Sequence, residues 1–311
     1  VNNLSANDPI VVYYEKAIAV MQSKRLNDPV GWRYQSAIHD YPRNVATTAN
    51  RLNDPINPDP FAADSDVLPS TSDQNTYWRQ CQHGSWFFLP WHRMYLHHFE
   101  KIIMDIVARV LGGPSDWALP YWNYSTSAAT ALLPVPFRSP TLPDGSPNHL
   151  YISQRTPDAN AGNPFLDPSD TDLSCLKQKP FAGVFGGPMI RNHPPGTSGA
   201  LEQTPHNNVH STLGGANGFM GLFSTAPLDP MFWLHHCNID RLWEVWVQRQ
   251  KHLGNLDRNP KVGTWRQTEK FDFHDASGNP VKMASEEVLN TRVAPLSYEY
   301  EDTSDPFNGA P

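Results

Sequence analysis

The stretch DPMFWLHHCNIDRLW, residues 229–243, decides how the rest of the chain is read. Asp229 followed by Pro230 marks a helix start, because a carboxylate caps free N–H groups and proline's fixed φ suits the first helical position. From Pro230 the pattern predicts a helix to about His252, with Leu234, Ile239, Leu242, Trp243 and Trp246 inward. A segment this aromatic is built for burial, yet it carries two adjacent histidines. Helical phase groups His236 with Asp240 and Trp243, and His235 with Ile239, Leu242 and Trp246, so both histidines stand open as metal ligands.

Upstream, PHNNVH (205–210) sets His206 and His210 four residues apart on a helix predicted from Pro205 to about Leu213. That spacing puts both imidazoles on one face, one turn apart, close enough to share an ion. The first half repeats the theme. A helix from Pro9 to Ser23 is followed by one from Pro29 that ends at His39. In HGSWFFLPWHR (83–93), His83 falls in a loop and His92 opens a helix that starts at Pro90 and ends at Gly112-Gly113. The recurring Asp-Pro or Thr-Pro pairs at 8–9, 28–29, 204–205 and 229–230 mark four of these starts. Between Pro120 and Ala200 thirteen prolines and no sustained period predict loops and short strands, a decorated connection within one domain. The tail from Asn255 alternates and reads as strands and irregular chain closing over the body.

Composition removes several function classes. With 24 Lys+Arg against 31 Asp+Glu the net charge is −7, which disfavours a nucleic-acid partner. No apolar run approaches the roughly 18 to 20 residues of a membrane span. Three cysteines, Cys81, Cys175 and Cys237, do not make a disulfide framework. No HExxH, P-loop or GxSxG pattern occurs. What remains unusual is thirteen histidines with few carboxylates beside the clustered ones. An all-imidazole site suits copper or, as the runner-up, zinc. His97 and His98 are turned well over 100° from His92 and read as surface or packing residues, while His149, His193, His252 and His274 lie in loop-like or polar settings.

The three motifs together resemble the paired copper motifs of the tyrosinase and polyphenol oxidase family, and the resemblance extends through Gly31-Trp32-Arg33-Tyr34, Leu119-Pro120-Tyr121-Trp122-Asn123 and Tyr298-Glu299-Tyr300. It implies a mainly α-helical fold, a central antiparallel four-helix bundle holding two copper ions, with long Pro-rich loops and a few short strands. One copper would be held by His39, His83 and His92, the second by His206, His210 and His236, with His235 left to a supporting or packing role. Cys81, two residues before His83, would sit near copper, and several family members carry a thioether between such a Cys and His. Asp240 would orient a ligand or a neighbouring helix, or form a structural ion pair.

The resemblance further implies oxidation of catechols to o-quinones by dioxygen, and, with a general base, hydroxylation of monophenols. Glu202, four residues before His206, matches the water-holding Glu of plant-type members, and Asn207 matches an Asn that helps hold that water. Phe223, thirteen residues before His236, matches a bulky aromatic over the second copper's entrance. Small phenols, dioxygen and a copper-delivery chaperone are the expected partners. The alternatives are a catechol oxidase or o-aminophenol oxidase without the monophenol step and, from another class, a haemocyanin-like oxygen carrier. The chain is expected to form one catalytic domain over 1–311 without a C-terminal shielding domain. Residue 1 is Val, which leaves the compartment open; oxidising phenols outside the cytoplasm, by secretion or in the periplasm, is the favoured expectation.

Overall fold

The computed structural model describes residues 1, 3–41, 68–191, 197–255 and 259–308. Among these, helices dominate: α1 (Pro9–Gln22), α2 (Trp32–His39), α3 (Thr71–Tyr77), α4 (Phe88–Asp105), the short α5 (Pro157–Ala161), α6 (Asn208–Gly214) and α7 (Pro230–His252), followed by strands β1 (Lys270–His274) and β2 (Pro280–Ala284). The strands form one antiparallel hairpin in the register Lys270↔Ala284 to His274↔Pro280. α4 continues into a wide helical turn, Ile106–Val110, before Gly112 at φ +66° ends it in the left-handed region open to glycine.

The core lies where α4 crosses α7. Phe99 of α4 stacks on Trp233 of α7 with ring centroids 3.4 Å apart, Tyr95 lies 4.7 Å from the same indole, and the Arg93 guanidinium covers Trp243 at 4.0 Å. These rings are fully buried, and each large apolar side chain taken out of water stabilises the fold by about 1.5–3 kcal/mol. The hairpin closes this core from outside through Phe273 against Trp91 and Phe271 against Phe87. α2 and α6 reach the same centre: His39 and His210 both approach Phe232 of α7, at 5.2 and 5.8 Å.

Two buried ion pairs tie distant chain to α7. Asp229 caps the helix by accepting from Met231 N and also takes a two-point contact from Arg155, both links 2.7 Å long and both side chains fully buried. Asp240, midway along, accepts from Arg93 Nε at 2.5 Å and from the hydroxyls of Tyr298 and Tyr300 at 2.5 and 2.6 Å. The C-terminal segment is thereby fastened across α4 and α7.

Several local expectations change. Of the four helix starts, Asp8 and Asp229 are side-chain caps. Asp28 instead accepts from Val30 N in a turn, and α2 begins later, at Trp32 after Gly31. Thr204 is extended (φ −142°, ψ 123°) inside a wide turn, Glu202–Asn207, that leads into α6, so its hydroxyl caps nothing there; it accepts from Asn208 instead. Among its described residues the Pro-rich stretch holds short helical turns and two isolated β-bridges, Thr141↔Pro147 and Ala182↔Gly187, rather than strands. His274, expected in a polar setting, lies on the face of β1 opposite the core-facing Phe271 and Phe273, and is buried there because Tyr77 and Tyr34 cover it. His97 and His98 are buried packing residues; His193 lies outside the described residues. Among the described residues no helix is long and apolar enough to cross a membrane.

Candidate metal centre

The six predicted histidines come together in two adjacent groups. His39, Cys81, His83 and His92 form the first, and His206, His210, His235 and His236 the second; within each, one donor atom per residue lies within 4.8 Å of the others. The groups face one another: His92 and His236 stack at 4.4 Å with 12° between planes, and His83 lies 5.6 Å from His206.

The rings are aimed by their Nδ1 atoms. His92 Nδ1 donates to Phe88 O, one turn back in its own helix, at 2.8 Å. His39 Nδ1 donates to Phe223 O at 2.9 Å, and His210 Nδ1 to Met220 O at 2.8 Å. His206 Nδ1 donates to Asn207 Oδ1 at 2.9 Å. Because each acceptor is an oxygen with no proton to give, Nδ1 carries the hydrogen in all four rings and Nε2 keeps its lone pair. His210 Nε2 faces His236 Nε2 at 3.2 Å, and His206 Nε2 is buried with no hydrogen-bond partner among the described residues. Burial also holds the imidazoles neutral, pushing His92 down to about 3 and His210 to about 4, with His206, His235 and His236 well below their usual range. Neutral rings with oriented lone pairs are the donor set copper takes, so the residues present fit two such ions.

Cys81 Sγ lies 3.0 Å from His83 Nδ1 and 3.4 Å from His92 Nε2, and burial raises its thiol well above the ordinary range. His235 packs within the second group, 4.9 Å from His210 and 5.4 Å from His206. Asp240 touches none of these imidazoles in the contacts it makes; it is the structural anchor described above, bound to Arg93, Tyr298 and Tyr300.

A cavity of about 580 Å³ opens onto both groups, lined on one side by Met220, Leu222 and Phe223 and on the other by Glu202, Asn207 and Ser198. Glu202 takes the N–H of Gly84 on both carboxylate oxygens, at 2.8 and 3.0 Å, and burial raises it to about 7. Asn207 Oδ1 is committed to His206, and Nδ2 donates to Ser198 Oγ at 3.2 Å, so the amide positions a ring as well as facing the cavity. Phe223 corrects its expected place. Its ring lies 4.8 Å from His83 and 6.4 Å from His39, over the first group and not the second, because the 219–223 loop carries its backbone carbonyl to His39. With 49% of its surface exposed it forms the cavity's rim.

This loop is the part that sequence reasoning missed. One short turn supplies Met220 O to the second group and Phe223 O to the first, and main-chain acceptors leave no mark in residue identity. Ser198 was also missed, although it precedes Glu202 by the same four residues that separate Glu202 from His206.

The family model for the common central domain of tyrosinase matches residues 29–188 and 187–249. The chain belongs to the tyrosinase family. It is similar to Tyrosinase HcTyr1 of Hahella sp. (strain CCB-MM4), 37% identical over 314 residues that span 96% of this chain and 62% of that protein. It is also similar to the chloroplastic polyphenol oxidase of Spinacia oleracea, 29% identical over 94% of this chain and 45% of the relative. The chain thus spans between about half and three-fifths of these curated relatives. Among solved structures, Grenache (Vitis vinifera) polyphenol oxidase matches with TM-score 0.68 at 25% identity, covering 100% of this chain and 86% of that one. Latent apple tyrosinase matches with TM-score 0.69 at 25% identity, covering 98% and 62%.

Proposed function

We propose that this chain is a dicopper phenol oxidase that converts catechols to o-quinones with dioxygen and hydroxylates monophenols. The observation that carries the reading is the pair of facing groups in which four histidines spend their Nδ1 protons on oxygen acceptors and turn their Nε2 atoms inward. His39, His83 and His92 would hold one ion and His206, His210 and His236 the other. The close approach of His236 Nε2 to His210 Nε2 favours His236 over His235. Two copper ions would supply the two electrons that reduction of dioxygen at such a site requires.

The remaining steps belong to the chain's own residues. The cavity admits an aromatic ring between the Phe223 rim and the polar wall, and burial of both groups excludes bulk water. Glu202, raised to about 7, is poised to take the phenol proton near neutrality, directly or through a water, and this favours a monophenol step over catechol oxidation alone. The 3.0 Å approach of Cys81 to His83 supports a thioether between them, formed with loss of two hydrogens to the site's own oxidant. Peptide mass analysis reads that loss directly.

Oxygen uptake by the copper-loaded protein with a monophenol and a diphenol, and with His210→Ala alongside, tests the reading. Uptake with both, absent in the variant, is expected. Uptake with the diphenol alone makes it a catechol oxidase, and reversible oxygen binding without turnover makes it a carrier.

A further inference from the structure

The polar wall of the cavity contains a chain of hydrogen bonds that runs one way, from imidazole to carboxylate, when Glu202 is ionised. His206 Nδ1 donates to Asn207 Oδ1 at 2.9 Å, and an amide oxygen can only accept. The same amide must therefore present Nδ2 on its other side, where it donates to Ser198 Oγ at 3.2 Å. With a lone pair of Oγ taken, the Ser198 hydroxyl is free to give its hydrogen, and its partner is the Glu202 carboxylate. The carboxylate is pinned independently by Gly84 N on both oxygens. Four residues on the 198–207 segment are thus ordered from acceptor to donor: carboxylate, hydroxyl, amide, imidazole.

Such an order discriminates between the two neutral forms of His206. If the ring carried its hydrogen on Nε2, Nδ1 would become an acceptor, and two acceptors, Nδ1 and Oδ1, would face each other at 2.9 Å. The amide could flip to relieve this, but Nδ2 would then leave Ser198 Oγ facing Oδ1, with its hydroxyl pulled between that oxygen and Glu202. Ser198 is the link at which both alternatives are decided, since it alone has one hydrogen and a lone pair to divide between a carboxylate and an amide.

We propose that Ser198 is a positioning residue that holds the Asn207 amide in one orientation and through it keeps His206 in the Nδ1–H form, with its Nε2 lone pair directed into the second histidine group. The inference rests on the preceding reading only in taking His206 as a copper ligand. It adds a residue outside the ligand motifs, and a reason why Glu202 and Asn207 occur together: they are the two ends that the serine joins.

The test compares Ser198→Thr with Ser198→Val, which have nearly the same shape and differ in the hydroxyl. In the metal-free 311-residue chain labelled with 15N at histidine, long-range proton–nitrogen spectra report the His206 form, the signal being assigned by its loss in His206→Gln. Wild type and Ser198→Thr are expected to show Nδ1–H alone, and Ser198→Val a mixture of both forms. Retention of copper(I) against a competing chelator is expected to fall about tenfold for one of two ions in Ser198→Val and to be restored in Ser198→Thr, the usual scale for losing a group that orients a ligand. Thermal melting of the two variants confirms that both fold. A pure Nδ1–H form in Ser198→Val, or equal copper retention in the two variants, overturns the proposal. The spectral reading uses neither copper nor phenol, so a chain that oxidised no phenol would leave its outcome intact.

Discussion

The two histidine groups reach the same geometry by different routes. The second is built from one wide turn, α6 and α7, in a span of thirty-one residues from His206 to His236, with helical spacing aligning His206 and His210. The first joins the end of α2, a loop and the start of α4, and its His39 depends on a carbonyl 184 residues away. Local periodicity suffices for a metal group on helices, whereas a group assembled from chain ends needs a scaffold to bring the ends together. The 219–223 turn is that scaffold, and it serves both groups.

The largest expected effect comes from freeing the start of α7. Arg155→Ala leaves the Asp229 carboxylate buried without its partner, a loss of about 3–5 kcal/mol. Chemical denaturation should show this, and copper retention should fail first in the second group, because α7 carries His236. If both groups fail together, the two are one cooperative unit and the contrast is superficial.

Next, Glu202→Gln should lower monophenol oxidation by about 100-fold, the lower end of what a positioned base contributes, while diphenol oxidation changes little. In the wild type, burial raises this carboxyl to about 7, so below that pH it holds its proton and cannot accept another. Monophenol turnover should therefore rise with pH through about 7, and the variant should lose that rise. The sign for stability is opposite. A carboxyl raised on folding favours the folded state least once it must ionise, so wild-type stability falls as pH climbs from the ordinary carboxylate range through about 7, and Glu202→Gln should fall less over the same range. Melting temperatures across pH check this.

A smaller change should strike both groups evenly. Gly214, at the end of α6, meets the 219–223 turn so closely that an added Cβ would sit 2.0 Å from Gly221 N and 2.7 Å from its Cα. Backbone cannot yield as a side-chain tip can, so Gly214→Ala should cost about 1–3 kcal/mol. By shifting Met220 O and Phe223 O together it should also loosen copper in both groups, whereas a change confined to α7 should not. Metal content per chain separates these outcomes.

How much was legible beforehand follows the same division. The span of α7, the cap at Asp229 and the pairing of His206 with His210 could be read directly, since capping and helical period are local properties. Glu202 and Phe223 were reached only through family resemblance, and Phe223 was assigned to the wrong group because distance along the chain from His236 says nothing of which carbonyl a loop delivers. For Asp240 the sequence left open an orienting role and a structural ion pair; its partners, Arg93, Tyr298 and Tyr300, decide for the structural anchor, and all lie far away along the chain. His274 reads as solvated from its sequence setting, and it is buried because Tyr34 of α2 and Tyr77 of α3 cover its face of β1.

By itself, the sequence determined the long helices α1, α4 and α7, their buried faces and the chemical nature of the site, because hydrophobic period, caps and imidazole donors are written in residue identity and spacing. Only the tertiary structure decided which way each imidazole points, which cavity wall is polar and where Phe223 stands. Those depend on backbone carbonyls and on contacts across more than a hundred residues, and a main-chain acceptor is the same atom whatever residue bears it.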